Sequence, residues 1–185
     1  ENVKEEAIQA GINGFLTKPI FKADILERLK QYIQGGYQED EEQQIRESDN
    51  LEGVRILVAD DNELNLEIMF EIFNSSGAAV DCAHNGKEAL EAYLKSSQGY
   101  YQIILMDVHM PEMNGLEATK EIRNSGRPDA CSVPIIAMTA DVFKEDIRRC
   151  QDAGMNAHMG KPVELDKLYS TVRKLLNKEA LGEKQ

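Results

Sequence analysis

The stretch Tyr101-Gln102-Ile103-Ile104-Leu105-Met106-Asp107-Val108-His109-Met110-Pro111 decides how this chain is read. A short apolar run bounded by turn-forming residues is the pattern of a strand buried on both faces. This one ends on a carboxylate. Three more runs end on polar groups: Val54–Ala59 leads into Asp60-Asp61, Val133–Met138 into Thr139, and Ala157–Met159 towards Lys161. Ala78–Ala83 is a fifth run, and amphipathic stretches fall at about Asn65–Phe73, Gly86–Lys95, Leu116–Arg123, Val142–Ala153 and Leu165–Leu176. Gly77, Gly86, Gly99, Gly115 and Gly126 mark the joints between them. Such alternation predicts an α/β fold, a doubly wound five-stranded parallel sheet with helices on both faces. Ligands bind such sheets in the crevice at the carboxyl ends of the strands, where the four polar groups are expected to converge.

Alone, Asp107 reads as a helix cap or turn residue. Four strand-end groups together read as a pocket. Carboxylates at Asp60, Asp61 and Asp107 raise one another's cost of ionisation, which a hard divalent cation relieves. Mg2+ suits, because it takes one or two carboxylates, keeps several waters and accepts phosphoryl oxygens. Asp61 and Asp107 are the expected direct ligands, with Asp60 acting through water and the His109 backbone carbonyl adding an oxygen. Cation and Lys161 ammonium together neutralise phosphoryl oxygens, so that a remaining Asp107 oxygen attacks phosphorus in line to give an aspartyl phosphate. Thr139 offers a hydroxyl to the phosphoryl group, and Ala140 is small enough to leave the approach open. Lys161-Pro162 calls for an extended or cis geometry that aims the Lys inward. Asn62, Asn65 and Asn114 read as caps or turns. Met106, Met110, Met113 and Met138 read as packing, and His84 and His109 have no second ligand nearby to suggest a transition metal.

Four segments, Val58-Ala59-Asp60-Asp61-Asn62, Met106 to Gly115, Pro134 to Ala140 and Gly160-Lys161-Pro162, closely resemble the receiver domains of two-component signalling. The resemblance runs from about Leu51 to Leu176, and Asn62 with Asn65 and Asn114 to Thr119 look most like receivers carried on hybrid sensor histidine kinases. It implies a flavodoxin-like sheet, a phosphoryl group taken from phosphohistidine onto Asp107, dependence on Mg2+ and slow self-hydrolysis. The implied partners are a histidine kinase transmitter or a histidine phosphotransfer domain. In many receivers a Tyr or Phe three residues before the Lys turns inward as the Thr moves. Here Thr139 and His158 hold those switch positions. A phosphohydrolase of the haloacid dehalogenase type would carry a second Asp two residues after the nucleophile, where this chain has His109. A receiver-like docking or dimerisation module without phosphoryl turnover is the alternative reading. A flavin site is not expected beside Asp60-Asp61.

The segment Ala10 to Pro19 aligns without gaps on Ala153 to Pro162, matching Lys18 to Lys161 and Phe15 to His158. Residues 1–35 therefore read as the C-terminal fragment of a preceding receiver, 36–52 as an acidic linker and 53–180 as a complete receiver. Lys18 lacks the acidic half of a pocket and is expected to be inert. Ile25, Leu26, Leu29, Tyr32 and Ile33 form an apolar stripe suited to homodimerisation. The chain has 185 residues, 42% of them hydrophobic, and a net charge of −12. That charge argues against nucleic acid and anionic membrane as partners. With no span-length apolar run and three cysteines (Cys82, Cys131, Cys150) read as reduced structural thiols, a cytoplasmic location is expected, which leaves room for a membrane-anchored parent protein.

Overall fold

The computed structural model describes residues 50–139 and 143–180, all within the unit Ile45–Gln185. The expectations for residues 1–35 (Lys18, Phe15 and the apolar stripe included), for the linker up to Asp49 and for Ala140 lie outside the described residues. Five strands, β1 Arg55–Ala59, β2 Ala79–Ala83, β3 Ile103–Asp107, β4 Ile135–Thr139 and β5 Ala157–Gly160, alternate with five helices. The helices are α1 Glu63–Ser75, α2 Gly86–Lys95, α3 Gly115–Asn124, α4 Lys144–Asp152 and α5 Leu165–Ala180. Every strand pair is parallel, in the order β2-β1-β3-β4-β5. This is the doubly wound sheet expected from the sequence, and its order reverses direction between β1 and β3.

Residue alternation along the strands divides the core in two. Ile56, Val58, Ile103, Leu105, Ile136 and Met138 pack with Leu66, Met69 and Phe73 of α1 and with Leu168 and Val172 of α5. Leu57, Ala59, Ile104, Met106, Ile135 and Ala137 face the other way, onto Tyr93 of α2, Ala118 and Ile122 of α3 and Cys150 of α4. Burying one such aliphatic side chain fully contributes about 1.5–3 kcal/mol, so β1, β3 and β4 anchor the domain. The edge strand β2 leaves Ala79, Asp81 and Cys82 exposed. Cys131 lies in an exposed turn, so a structural role holds for the buried Cys150 and not for Cys82 or Cys131, although all three thiols are free.

Asparagine caps start three helices. Asn62 accepts from Leu64 N, Asn85 from Glu88 N, and Asn114 closes a capping box with Glu117. The cap at Asn62 is why α1 begins two residues before the periodicity suggests. Leu51, read as linker, is buried and its N–H donates to Ser76 O, so the packed unit starts slightly before Gly53. No helix among the described residues is long and apolar enough to cross a membrane.

Candidate phosphoryl-accepting site

Backbone register brings the strand-end groups level. Asp60 follows β1 directly, and its N–H donates to Ala83 O of β2 at 3.1 Å. Asp107 closes β3 opposite Met138, and Thr139 closes β4 opposite Gly160. Lys161 follows β5, with its N–H donating to Thr139 O at 2.8 Å, and its bond to Pro162 is cis. Gly115 completes the frame behind Asp107. A Cβ there would collide with the Asp107 carbonyl, so only glycine lets α3 start this close to the end of β3.

The side chains meet in the crevice between β1 and β3, the reversal point of the sheet. Lys161 Nζ lies 2.7 Å from Asp60 Oδ2 and 2.7 Å from Asp107 Oδ2. Asp60 and Asp107 are buried, Asp61 is exposed, and carboxylate oxygens of all three lie within 4.8 Å of one another. Asp107 Oδ1 accepts only a long bond from His109 N, at 3.3 Å. Asp60 is more tightly held: Oδ1 accepts from Asn62 N at 3.0 Å and from Asn65 Nδ2 at 2.9 Å.

Burial pushes the Asp107 carboxyl above the ordinary carboxylate value, and the charge on Asp60 pushes the same way; Lys161 pulls it down without cancelling them. Burial also works against the Lys161 ammonium, but the hydrogen bonds it donates to Asp107 and Asp60 outweigh it and raise its pKa. One ammonium thus faces three carboxylates and leaves negative charge uncompensated. Three hard oxygen donors with a deficit of positive charge fit a small divalent cation. With Lys161 24% exposed and Asp61 open to solvent, an anion can reach the buried Asp107.

Asp60, Asp61, Asp107 and Lys161 therefore form one cluster, with Thr139 buried at the adjoining end of β4. The side chains of His109, His158 and Pro162 are exposed, and His158 sits on the edge strand β5. Asn62 and Asn114 are helix caps, as read. Asn65 is not: it lies inside the first turn of α1 and its amide donates to Asp60. The only sequence signal for that role is its spacing, five residues after Asp60, where the first helical turn folds back over the strand end.

The description "Response regulator receiver domain" matches residues 56–173. The chain is 37% identical over 123 residues to hybrid signal transduction histidine kinase L of Dictyostelium discoideum, covering 65% of this chain and 7% of that protein. It is 33% identical over 131 residues to the sensory/regulatory protein RpfC of Xanthomonas campestris pv. campestris, covering 71% of this chain and 18% of that protein. The chain thus spans a small part of the relatives it matches. Among solved structures it is similar to the receiver domain of sensor histidine kinase PA1611 from Pseudomonas aeruginosa, which holds a magnesium ion in its active-site cleft. That pair is 31% identical with a TM-score of 0.61, over 68% of this chain and 98% of the other. It is also similar, at 28% identity and a TM-score of 0.62 over 69% and 91% of the chains, to a Saccharomyces cerevisiae co-crystal structure of histidine phosphotransfer protein Ypd1 with the Ssk1 receiver.

Proposed function

Because the chain belongs to the response regulator receiver domain family, we propose that Asp107 is its phosphoacceptor and that Thr139 and Lys161 attend the phosphoryl oxygens. Asp60, Asp61, Asp107 and the His109 carbonyl would hold Mg2+, which when bound supplies positive charge to the phosphoryl oxygens. The observation that carries this reading is the Lys161 bridge, 2.7 Å to each of two buried carboxylates, with Asp107 still pushed above its ordinary value.

Lys161 engages Asp107 Oδ2 and leaves Oδ1, with its long 3.3 Å bond from His109 N, as the attacking atom. The new O–P bond forms as the P–N bond of a phosphohistidine breaks. The electron pair goes to the imidazole nitrogen, which takes its proton from water. Lys161 then turns from carboxylate to phosphoryl oxygen, and the Thr139 hydroxyl donates to another. Positioning and charge neutralisation supply most of such catalysis, so no general base is required. The phosphoryl donor is a histidine kinase transmitter or a histidine phosphotransfer domain, and the parent protein is a hybrid histidine kinase whose receiver lies in the cytoplasm. The yeast complex supports the choice of partner, and three free thiols fit a reducing compartment.

Intact-protein mass after incubation with acetyl phosphate, with and without Mg2+, tests the reading. One phosphoryl group is gained with Mg2+, and none on Asp107→Asn. Absence of any gain on a folded protein would leave the docking or dimerisation module as the better account.

A further inference from the structure

We propose that Asn65 is a positioning residue for the cation pocket, acting through Asp60. Three helices of the domain begin with an asparagine cap, and the residue three positions past the cap in α1 differs in kind from its counterparts in α2 and α3. In α2 and α3 it is a glutamate, an acceptor that reaches back to backbone N–H groups: Glu88 Oε2 takes His84 N at 2.8 Å and Glu117 Oε2 takes Asn114 N at 3.2 Å. In α1 the same position is Asn65, which donates instead, from Nδ2 to Asp60 Oδ1 at 2.9 Å. The N–H of the cap residue Asn62, which a glutamate would have taken, goes to that same Asp60 oxygen at 3.0 Å. The helix start gives up its own acceptor so that two donors converge on one oxygen of a carboxylate that is 1% exposed.

The consequence is orientational. Two bonds on Oδ1 fix the plane of the carboxylate and present Oδ2 to Lys161 Nζ at 2.7 Å, on the side where Asp61 and Asp107 gather. Asn65 touches neither Asp107 nor Lys161 by any hydrogen bond described, so its effect passes through Asp60. Groups that orient metal-binding carboxylates typically change affinity by about 10–100-fold when removed.

This inference rests on the pocket being a cation site, and the test separates the two. Mg2+ binding to the unphosphorylated chain is measured by calorimetry for the parent, Asn65→Ala, Asn65→Glu and Asn65→Gln, with melting curves on each. Asn65→Ala is expected to weaken Mg2+ about tenfold. Asn65→Glu restores the capping acceptor, so it keeps the melting temperature of the parent while disturbing Asp60 and the ion pair it shares with Lys161. Asn65→Gln, which keeps the amide donor, recovers part of the affinity. A parent that binds Mg2+ with all three variants within about twofold of it would overturn the role of Asn65 alone. A parent that binds no Mg2+ would overturn the cation site and this inference together. Loss of affinity that tracks loss of melting temperature across the variants would make Asn65 merely structural and also overturn the proposal.

Discussion

At the amino ends of β3 and β4, Asp129 has every oxygen occupied. Arg127 grips it through Nε at 3.0 Å and Nη2 at 2.9 Å, Tyr93 Oη donates at 3.0 Å and Gly99 N at 2.7 Å. At the carboxyl ends of the same sheet, Asp107 has one ammonium at 2.7 Å and one backbone N–H at 3.3 Å. Hydrogen bonds from Arg127 hold the Asp129 carboxyl well below the usual range, whereas burial pushes Asp107 above it. Arg127 also takes the Tyr93 and Ser96 carbonyls at 2.7 Å each and stacks 4.4 Å over the Tyr93 ring, closing off the end of α2. The two clusters draw on the same kinds of group. A carboxylate whose lone pairs are all matched is scaffolding; one left short of donors keeps an oxygen open to a further partner.

Substitutions can break that contrast from either side. The largest effect is expected from Lys161→Ala, which removes the ammonium that bridges Asp60 and Asp107. Phosphorylation by acetyl phosphate should slow by about 10²-fold or more, read as the rate of mass gain. At the opposite end Arg127→Ala takes two donors from Asp129 and the guanidinium hydrogen bonds from the carbonyls of Tyr93, Leu94, Ser96 and Ser97. It should cost about 2–3 kcal/mol in urea unfolding while leaving the phosphorylation rate of the folded fraction unchanged. A fall in both would mean the two ends are coupled.

Acid titration separates the ends further. Because the Asp129 pKa is depressed, its contribution is complete above the unfolded value of about 3.9 and fades as pH falls through the folded one. The melting-temperature gap between the parent and Asp129→Asn should therefore close as the pH is lowered below about 4. Asp107 runs the other way: its raised pKa makes the protonated form the stabilising one, and that advantage is lost as pH rises through the folded value. Asp107→Asn should thus melt a few degrees higher than the parent at neutral pH. No gain would mean that Lys161 matches the charge more fully than its surroundings suggest. The smallest change is expected from His158→Phe, whose exposed position on β5 predicts a stability shift within about 0.5 kcal/mol and an unaltered rate of phosphoryl uptake.

The pocket was legible in sequence because four of the five strands are short apolar runs that end on or just before a polar group, and parallel topology brings those ends together. Asp60, Asp61, Asp107, Thr139 and Lys161 follow from that rule. Strand starts were read one or two residues early in four of the five strands, since Tyr101 and Val133 are buried without joining the ladder. Asn65 was hidden because asparagine near a helix start ordinarily caps it, and only the orientation of Asp60 turns its amide into a donor to the pocket. The Arg127 to Asp129 network left no trace at all. It joins Tyr93, Gly99 and Asp129 across loops, and no period in the chain marks residues that meet across loops.

Lys161 stands 101 residues after Asp60 and 54 after Asp107. On a growing polypeptide the acids are therefore made long before the ammonium that offsets them, and β5 is the last strand to be made. Until it docks, the crevice holds mutually repelling carboxylates. Contacts so distant along the chain form slowly because they must first close a long loop. A domain shortened before β5 would therefore carry Asp107 and lack the ammonium that faces it.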